Sequence, residues 1–123
     1  MMNEIKFYFA GDFYSTSSTK PIAVSDELII AIALCDIKVC NFEVPLKSDT
    51  KLPPQRCKRF CNHDDSSEFL WSLGFNLFSI ATNHTSDWDN EGFYKTKQVL
   101  GEEAFGAGSY NEAYKVKVVE LGE

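Results

Sequence analysis

Five polar residues of this chain have side chains that can bind divalent metal ions or transfer protons, and each closely follows an apolar segment. They are Asp12, Asn41, Glu43, Asn83 and His84. Carboxylates and neutral imidazole nitrogens are ligands for Mn, Fe, Zn or Mg, and histidine is the side chain that most often transfers protons in catalysis. These residues can act together only if the strands and helices of the fold bring them to one place.

The apolar segments before these residues predict three strands. Residues 5–10 are rich in aromatic and β-branched side chains and stop at Gly11, as a strand that ends in a polar loop does. Residues 36–43 alternate apolar and polar side chains, which predicts a second strand. Residues 75–81 predict a third, buried strand. The five polar residues then lie at or just beyond the carboxyl ends of the three strands.

Helices are predicted between and after these strands. Ser25 is an N-cap candidate for a buried helix over residues 26–34, although the β-branched content leaves a strand as the alternative. Residues 64–67 can cap a second helix, which Gly74 is placed to end. A third helix is predicted over residues 91–103.

The remaining segments are shorter or more polar. Residues 47–56 predict a surface loop, because they hold two adjacent prolines among polar residues. Residues 57–61 resemble a short strand, residues 104–108 a short strand with a tight turn, and residues 111–113 a helical turn. We expect residues 114–121 to form a final strand.

Strands that alternate with helices predict an α/β fold with a mostly parallel sheet flanked by helices. In such sheets, binding sites lie beyond the carboxyl ends of the strands. We therefore expect the five polar residues to meet at one edge of the sheet.

Composition limits the class of protein further. A chain of 123 residues is long enough for one domain with a real core. The net charge of −6 disfavours nucleic acid as a partner. The longest apolar run, Leu28 to Cys35, is far shorter than the roughly 20 residues that span a bilayer. Because the N-terminus shows no export signal, we expect a cytoplasmic protein with no membrane span.

The four cysteines are expected to be reduced thiols in that compartment. Cys35 and Cys40 lie in apolar segments and are interpreted as core residues. Cys57, Cys61 and His63 offer three soft ligands, but no second pair lies near enough in the sequence to complete a tetrahedral zinc site. We interpret them, with the basic cluster Lys51–Arg59, as parts of a loop.

Several short motifs follow one another along nearly the whole chain. They are Phe9-Ala10-Gly11-Asp12, Asn41-Phe42-Glu43-Val44-Pro45, Leu73-Gly74-Phe75-Asn76, Ser79-Ile80-Ala81-Thr82-Asn83-His84, Asp87, Glu91-Gly92, Gly106-Ala107-Gly108 and Glu112-Ala113. Each is weak alone, but the ordered set resembles the bacterial capsule-synthesis (poly-γ-glutamate, CapA-like) protein family. That family is related to the calcineurin-like metallophosphoesterases.

The resemblance implies the N-terminal half of a metallophosphoesterase-like sandwich with a divalent metal site (Mn, Fe, Zn or Mg). It implies that Asp12, Asn41 and Glu43 are metal ligands, and that Asn83 and His84 both bind metal and handle a proton in catalysis. The substrate would be a small molecule or a phosphate-containing compound. With a complete site, the chain would be a metal-dependent phosphoesterase-like hydrolase in capsule or poly-γ-glutamate biosynthesis.

The chain departs from the family pattern at several places. Thr82 stands where the family usually has Asn, and Asp89 stands where a glycine is expected. The chain has two histidines, His63 and His84. It lacks the later histidine-containing motifs that supply further ligands in longer relatives. We therefore expect residues 1–123 to be a single domain with an incomplete metal site, either because the domain is truncated or because the chain is a shortened, degenerate relative.

Other interpretations apply to the same residues. Asp12 could cap the turn after its strand. Residues 87–92 imitate the start of an EF-hand loop, but Gln98 stands at the twelfth position where calcium needs a bidentate glutamate. Acidic residues that cap a helix are the better interpretation of that segment.

Two functions therefore remain open. The first is the metal-dependent phosphoesterase. The second is a non-catalytic module that binds a partner in the same cleft, or that forms a homodimer through an exposed sheet edge.

Overall fold

The computed structural model describes residues 4–15, 22–48 and 60–122. The elements, in chain order, are β1 (Phe7–Phe13), α1 (Asp26–Ala33), β2 (Ile37–Phe42), α2 (Ser66–Ser72), β3 (Leu77–Ser79), α3 (Asp89–Leu100), β4 (Ala104–Phe105) and α4 (Tyr110–Ala113). The strands form one sheet in the order β1-β2-β3-β4, and each neighbouring pair is parallel. The predicted α/β fold with a parallel sheet and flanking helices is confirmed.

Local sequence explains where most helices begin and end. The Ser25 side chain accepts a hydrogen bond from the Leu28 backbone N–H at 3.3 Å, so it caps α1 as predicted. Gly74 follows α2 with a φ of 87°, a conformation that glycine adopts at little cost. The predicted capping of α2 is wrong, because the Asp65 side chain makes no cap hydrogen bond and instead contacts His63.

One face of the sheet carries the core. Cys40 and Phe78 are opposite each other in the register of β2 and β3, and both are fully buried. Ile32, Leu70 and Leu100 join the same apolar cluster from α1, α2 and α3. These three helices therefore cover one side of the strands that carry the polar residues.

The first strand is longer than predicted, because it continues through Gly11 and Asp12 to Phe13. Its register with β2 shifts on the way. Phe9 is opposite Val39, but Asp12 is opposite Asn41, so β1 contains one residue more than β2 in this stretch. This β-bulge places Asp12 directly beside Asn41.

The predicted final strand over residues 114–121 is wrong. Residues 115–122 have no strand assignment, and Val116 and Val118 are 79% and 76% exposed. Alternating valines indicate that a segment can pack on one face of a β-sheet. The segment becomes a strand only if a neighbouring strand forms hydrogen bonds with its backbone. The nearest candidate, β4, is only two residues long and offers too few groups for pairing.

The predicted strand over residues 57–61 and the loop Lys51–Arg59 fall wholly or partly outside the described residues. Within them, Phe60 and Cys61 have no strand assignment, and Asn62 forms an isolated bridge with Leu46. Across the described ranges, no helix combines the length and apolar character needed to cross a bilayer.

Candidate functional site

Asn41 joins two acidic residues at the carboxyl edge of the sheet. Its Nδ2 atom donates one hydrogen bond to Asp12 Oδ1 at 2.7 Å and another to Glu43 Oε2 at 2.6 Å. Both bonds are of the charge-assisted kind, which is stronger than a neutral pair. The end of β1, the end of β2 and the loop after β2 therefore bring two carboxylates to one amide group.

His84 approaches the same group from the loop after β3. Its Nε2 atom lies 3.9 Å from Glu43 Oε1, and its Nδ1 atom lies 2.8 Å from Asp87 Oδ2. The side chains of Glu43, His84 and Asp87 are all partly buried. Asp12, Asn41, Glu43, His84 and Asp87 thus form a continuous series of polar contacts along the sheet edge.

Asn83 is the one sequence-predicted site residue that stays apart from this series. It is exposed in the turns that precede α3, and its side chain makes no hydrogen bond with the residues described by the structure. Its backbone neighbour His84 points inward instead. Asn83 therefore lies at the rim of the site.

Asp87 has a different role from the helix capping expected for it. The residue at the N-cap of α3 is Trp88, without a side-chain cap bond, whereas Asp87 Oδ2 contacts His84 and also accepts a 3.2 Å hydrogen bond from the Phe60 backbone N–H. Asp89 and Glu91 lie in the first turn of α3, where acidic residues interact favourably with the helix dipole as expected.

Phe60 was not predicted as a site residue. Its ring packs edge-on against the His84 imidazole with a centroid distance of 5.2 Å, and edge-on against Tyr14 at 5.5 Å. No periodic pattern in the sequence indicates this contact, because Phe60 follows a long polar stretch. By contrast, the spacing of His84 and Asp87 by three positions did carry a signal, since such spacing lets two side chains in a turn meet.

The site is acidic. In ranges 4–15, 22–48 and 60–122, no lysine or arginine forms a salt bridge with Asp12, Glu43 or Asp87. Uncompensated carboxylates attract cations. Within the same ranges, however, no three His, Cys, Asp or Glu side chains are grouped closely enough to form a metal-binding cluster.

The backbone near α3 explains one departure from the family pattern. Asp89 has a φ of 52°, in the left-handed region where glycine is favoured and Asp is tolerated. A glycine would adopt this backbone conformation easily, which agrees with the glycine expected at this position. In this chain Asp89 adopts the conformation instead.

The fold and the site define a parallel α/β protein whose strand ends gather carboxylate, amide and imidazole groups at one edge. Residues 8–123 match the family model described as "Bacterial capsule synthesis protein PGA_cap". The chain belongs to this family, and its function is of the capsule-biosynthesis type. No curated protein matches the chain significantly.

Proposed function

We propose that this edge of the sheet is part of a divalent-metal site of the metallophosphoesterase type, acting on a small phosphate-containing substrate in capsule or poly-γ-glutamate biosynthesis. The observation that carries the proposal is the approach of His84 Nε2 to Glu43 Oε1 at 3.9 Å, beside an Asp12 carboxylate that Asn41 ties to the same glutamate.

The donor atoms are compatible with a metal ion. Bonds from a metal to a carboxylate oxygen and an imidazole nitrogen are about 2.1 Å each, so the two donors lie within roughly 4.2 Å of each other. The 3.9 Å separation of Glu43 and His84 is inside this limit, although two tetrahedral ligands would lie about 3.4 Å apart, so the two side chains would close by roughly 0.5 Å on binding one ion. Carboxylate and imidazole together suit Mn, Fe or Zn, and the acidic surroundings favour cation entry.

Asn41 supports the arrangement from the centre. Rotation of its terminal amide would exchange Nδ2 for Oδ1, which gives the site a neutral oxygen ligand in place of a donor. The same amide, in the orientation of the structure, holds Asp12 and Glu43 together without a cation. Asn41 therefore can keep the acidic pair assembled both before and after metal binding.

A bound metal would lower the pKa of a water molecule, so that this water could attack a phosphoryl group near neutral pH. In this chain, Asp12 and Glu43 would hold the charge of the site, and His84 Nε2 would either bind the metal or protonate a leaving oxygen. Asn83, at the rim, would donate a hydrogen bond to a substrate oxygen.

The test is Mn²⁺ binding by calorimetry together with hydrolysis of an aryl phosphate. We expect His84→Ala and Asp12→Ala to lose both metal affinity and turnover. His63→Ala is the matched control, because His63 also contacts an aspartate through Nδ1 but its side chain is 40% exposed and, among the residues that the structure describes, it makes no contact with the polar series of the site. Absence of Mn²⁺ binding in the wild-type protein, or equal losses in His63→Ala, would refute the proposal.

A second candidate is a non-catalytic module that self-associates, and one observation favours it. Strand β1 is at the edge of the sheet, and Phe7 and Phe9 are 53% and 72% exposed with stacked rings. An exposed apolar edge strand is a template for pairing with a second copy. Light scattering should then show a homodimer that Phe9→Ser disrupts, and a monomer at all concentrations would exclude it.

A further inference from the structure

We propose that Asp87 is a positioning residue that fixes the ring of His84 in one tautomer, with Nε2 directed toward Glu43. The meaning of this role for catalysis rests on the proposed function above. The geometric claim itself concerns the chain without metal or substrate and can be tested separately.

The tautomer follows from the hydrogen-bonding capacity of the two groups. An ionised carboxylate only accepts hydrogen bonds, so the 2.8 Å contact between Asp87 Oδ2 and His84 Nδ1 requires the proton to be on Nδ1. In the neutral ring, Nε2 then carries the lone pair. That lone pair is on the side of Glu43, where a metal or a proton would have to be received.

Asp87 is itself held in place. Its Oδ2 atom also accepts the backbone N–H of Phe60 at 3.2 Å, and its side chain is only 19% exposed. A carboxylate fixed by a backbone donor cannot rotate freely away from the imidazole. The orientation of His84 is therefore determined from outside the proposed metal site.

The ring is also confined by packing. The Phe60 ring lies edge-on against the imidazole at 5.2 Å, and Tyr14 lies edge-on against Phe60 at 5.5 Å. The same residue thus contacts both partners, through its backbone for Asp87 and its ring for His84. Rotation of the imidazole about its side-chain bonds would break its contact with the Phe60 ring and its hydrogen bond with Asp87.

The second histidine provides an internal comparison. His63 Nδ1 lies 2.8 Å from Asp65 Oδ1, the same pair of atom types at the same distance, but the two side chains are 40% and 53% exposed. Exposed pairs of this kind contribute little, because water competes for both groups. We therefore expect a fixed tautomer at His84 and a mixture at His63.

The experiment is long-range ¹H–¹⁵N NMR of the metal-free protein, at a pH where both imidazoles are neutral. Since the chain has two histidines, His63→Ala assigns both rings. We expect the Nδ1–H form to dominate at His84 in the wild-type protein and to become mixed in Asp87→Asn. Asp65→Asn, the matched control, should leave the His84 signals unchanged.

A dominant Nε2–H form at His84 in the wild-type protein would overturn the proposal without any variant, so a failure of Asp87→Asn to fold does not remove the test. An unchanged His84 tautomer in folded Asp87→Asn would overturn it as well.

Metal binding gives an independent measurement. Loss of a group that orients a ligating histidine lowers metal affinity about 10- to 100-fold, so Mn²⁺ should bind Asp87→Asn that much more weakly, with no change in Asp65→Asn. If the tautomer changes as expected but the wild-type protein binds no Mn²⁺, the positioning role stands and the proposed function fails. Equal Mn²⁺ affinity in wild type and Asp87→Asn would refute the role of Asp87 in the metal site.

Discussion

Thr82 connects the loop after β3 to the loop after β2, because its hydroxyl donates a 2.7 Å hydrogen bond to the backbone carbonyl of Glu43. The same oxygen accepts the backbone N–H of His84 at 3.0 Å. One side chain therefore sets the distance between the backbones that carry the glutamate and the histidine. Thr82 performs this role at the position where the resemblance described above led us to expect an asparagine.

Replacement of Thr82 by valine should damage both stability and the site. The Glu43 carbonyl and the His84 N–H would each lose a partner in a half-buried location, at a cost of about 1–3 kcal/mol in the free energy of unfolding. Urea denaturation measures the loss, and Mn²⁺ calorimetry should show weaker binding. Thr82→Ser keeps the hydroxyl and should retain metal affinity; equal behaviour of the two variants would contradict the bridging role.

Gly92 should not tolerate alanine, although alanine favours a helix interior. A Cβ atom at this position would overlap the Trp88 Cβ and lie 3.0 Å from the Leu46 carbonyl oxygen. We expect overpacking to lower the free energy of unfolding by about 1–3 kcal/mol. Gly11→Ala is the control, since a Cβ there meets nothing within 4 Å, and comparable losses in both variants would show that crowding is not the cause.

Glu112 should contribute stability that is lost at low pH. A hydrogen bond from Lys97, followed by the Ser109 backbone N–H, lowers the pKa of Glu112 to about 2 from the ordinary value of 4.5. Because the folded-state pKa is lowered, the contribution is complete above pH 4.5 and disappears as the pH falls toward 2. Carboxyl ¹³C NMR titration measures this pKa directly.

Lys97→Met should raise the pKa of Glu112 toward its ordinary value. Lys117→Met is the matched control, because Lys117 contacts the Glu102 carbonyl rather than Glu112. A Glu112 pKa that is insensitive to Lys97→Met would show that the capping box with Ser109 alone accounts for the lowered value.

Cys40 should resist alkylation in the folded protein. Burial raises the pKa of its thiol to about 12, and the residue is fully buried, so both the thiolate and access for a reagent are lacking. Mass spectrometry after treatment with iodoacetamide at pH 8 should find Cys35, which is partly exposed, modified well before Cys40. Modification of Cys40 at the same rate without denaturant would contradict its place in the core.

The sequence was sufficient to predict the four strands of the sheet and several of the polar residues at its carboxyl edge. Strand ends are marked by a change from apolar to polar residues, and parallel strands place those ends together. This reasoning located Asp12, Asn41, Glu43 and His84 at one edge. It also predicted α1, since Ser25 before an apolar run is a local capping signal.

Contacts between segments distant in the sequence could not be predicted in this way. Phe60 reaches His84 through tertiary packing, and no local pattern indicates which loop lies over an imidazole. The final strand was predicted from alternating valines at Val116 and Val118, but pairing depends on a neighbour that local sequence does not specify. Asn83 was placed inside the site because the sequence does not show which of two adjacent residues faces inward.

The β-bulge in β1 makes the length of this strand as important as its composition. Insertion of one residue between Phe9 and Asp12 would leave every chemical group of the site in the chain, yet with the bulge unchanged Asp12 would move opposite Phe42 and face the apolar core. Phe13 would turn outward in the same step. A one-residue insertion at this point should thus eliminate the acidic pair more completely than many point substitutions, whereas a deletion of Ala10 or Gly11 would only remove the bulge and leave Asp12 opposite Asn41.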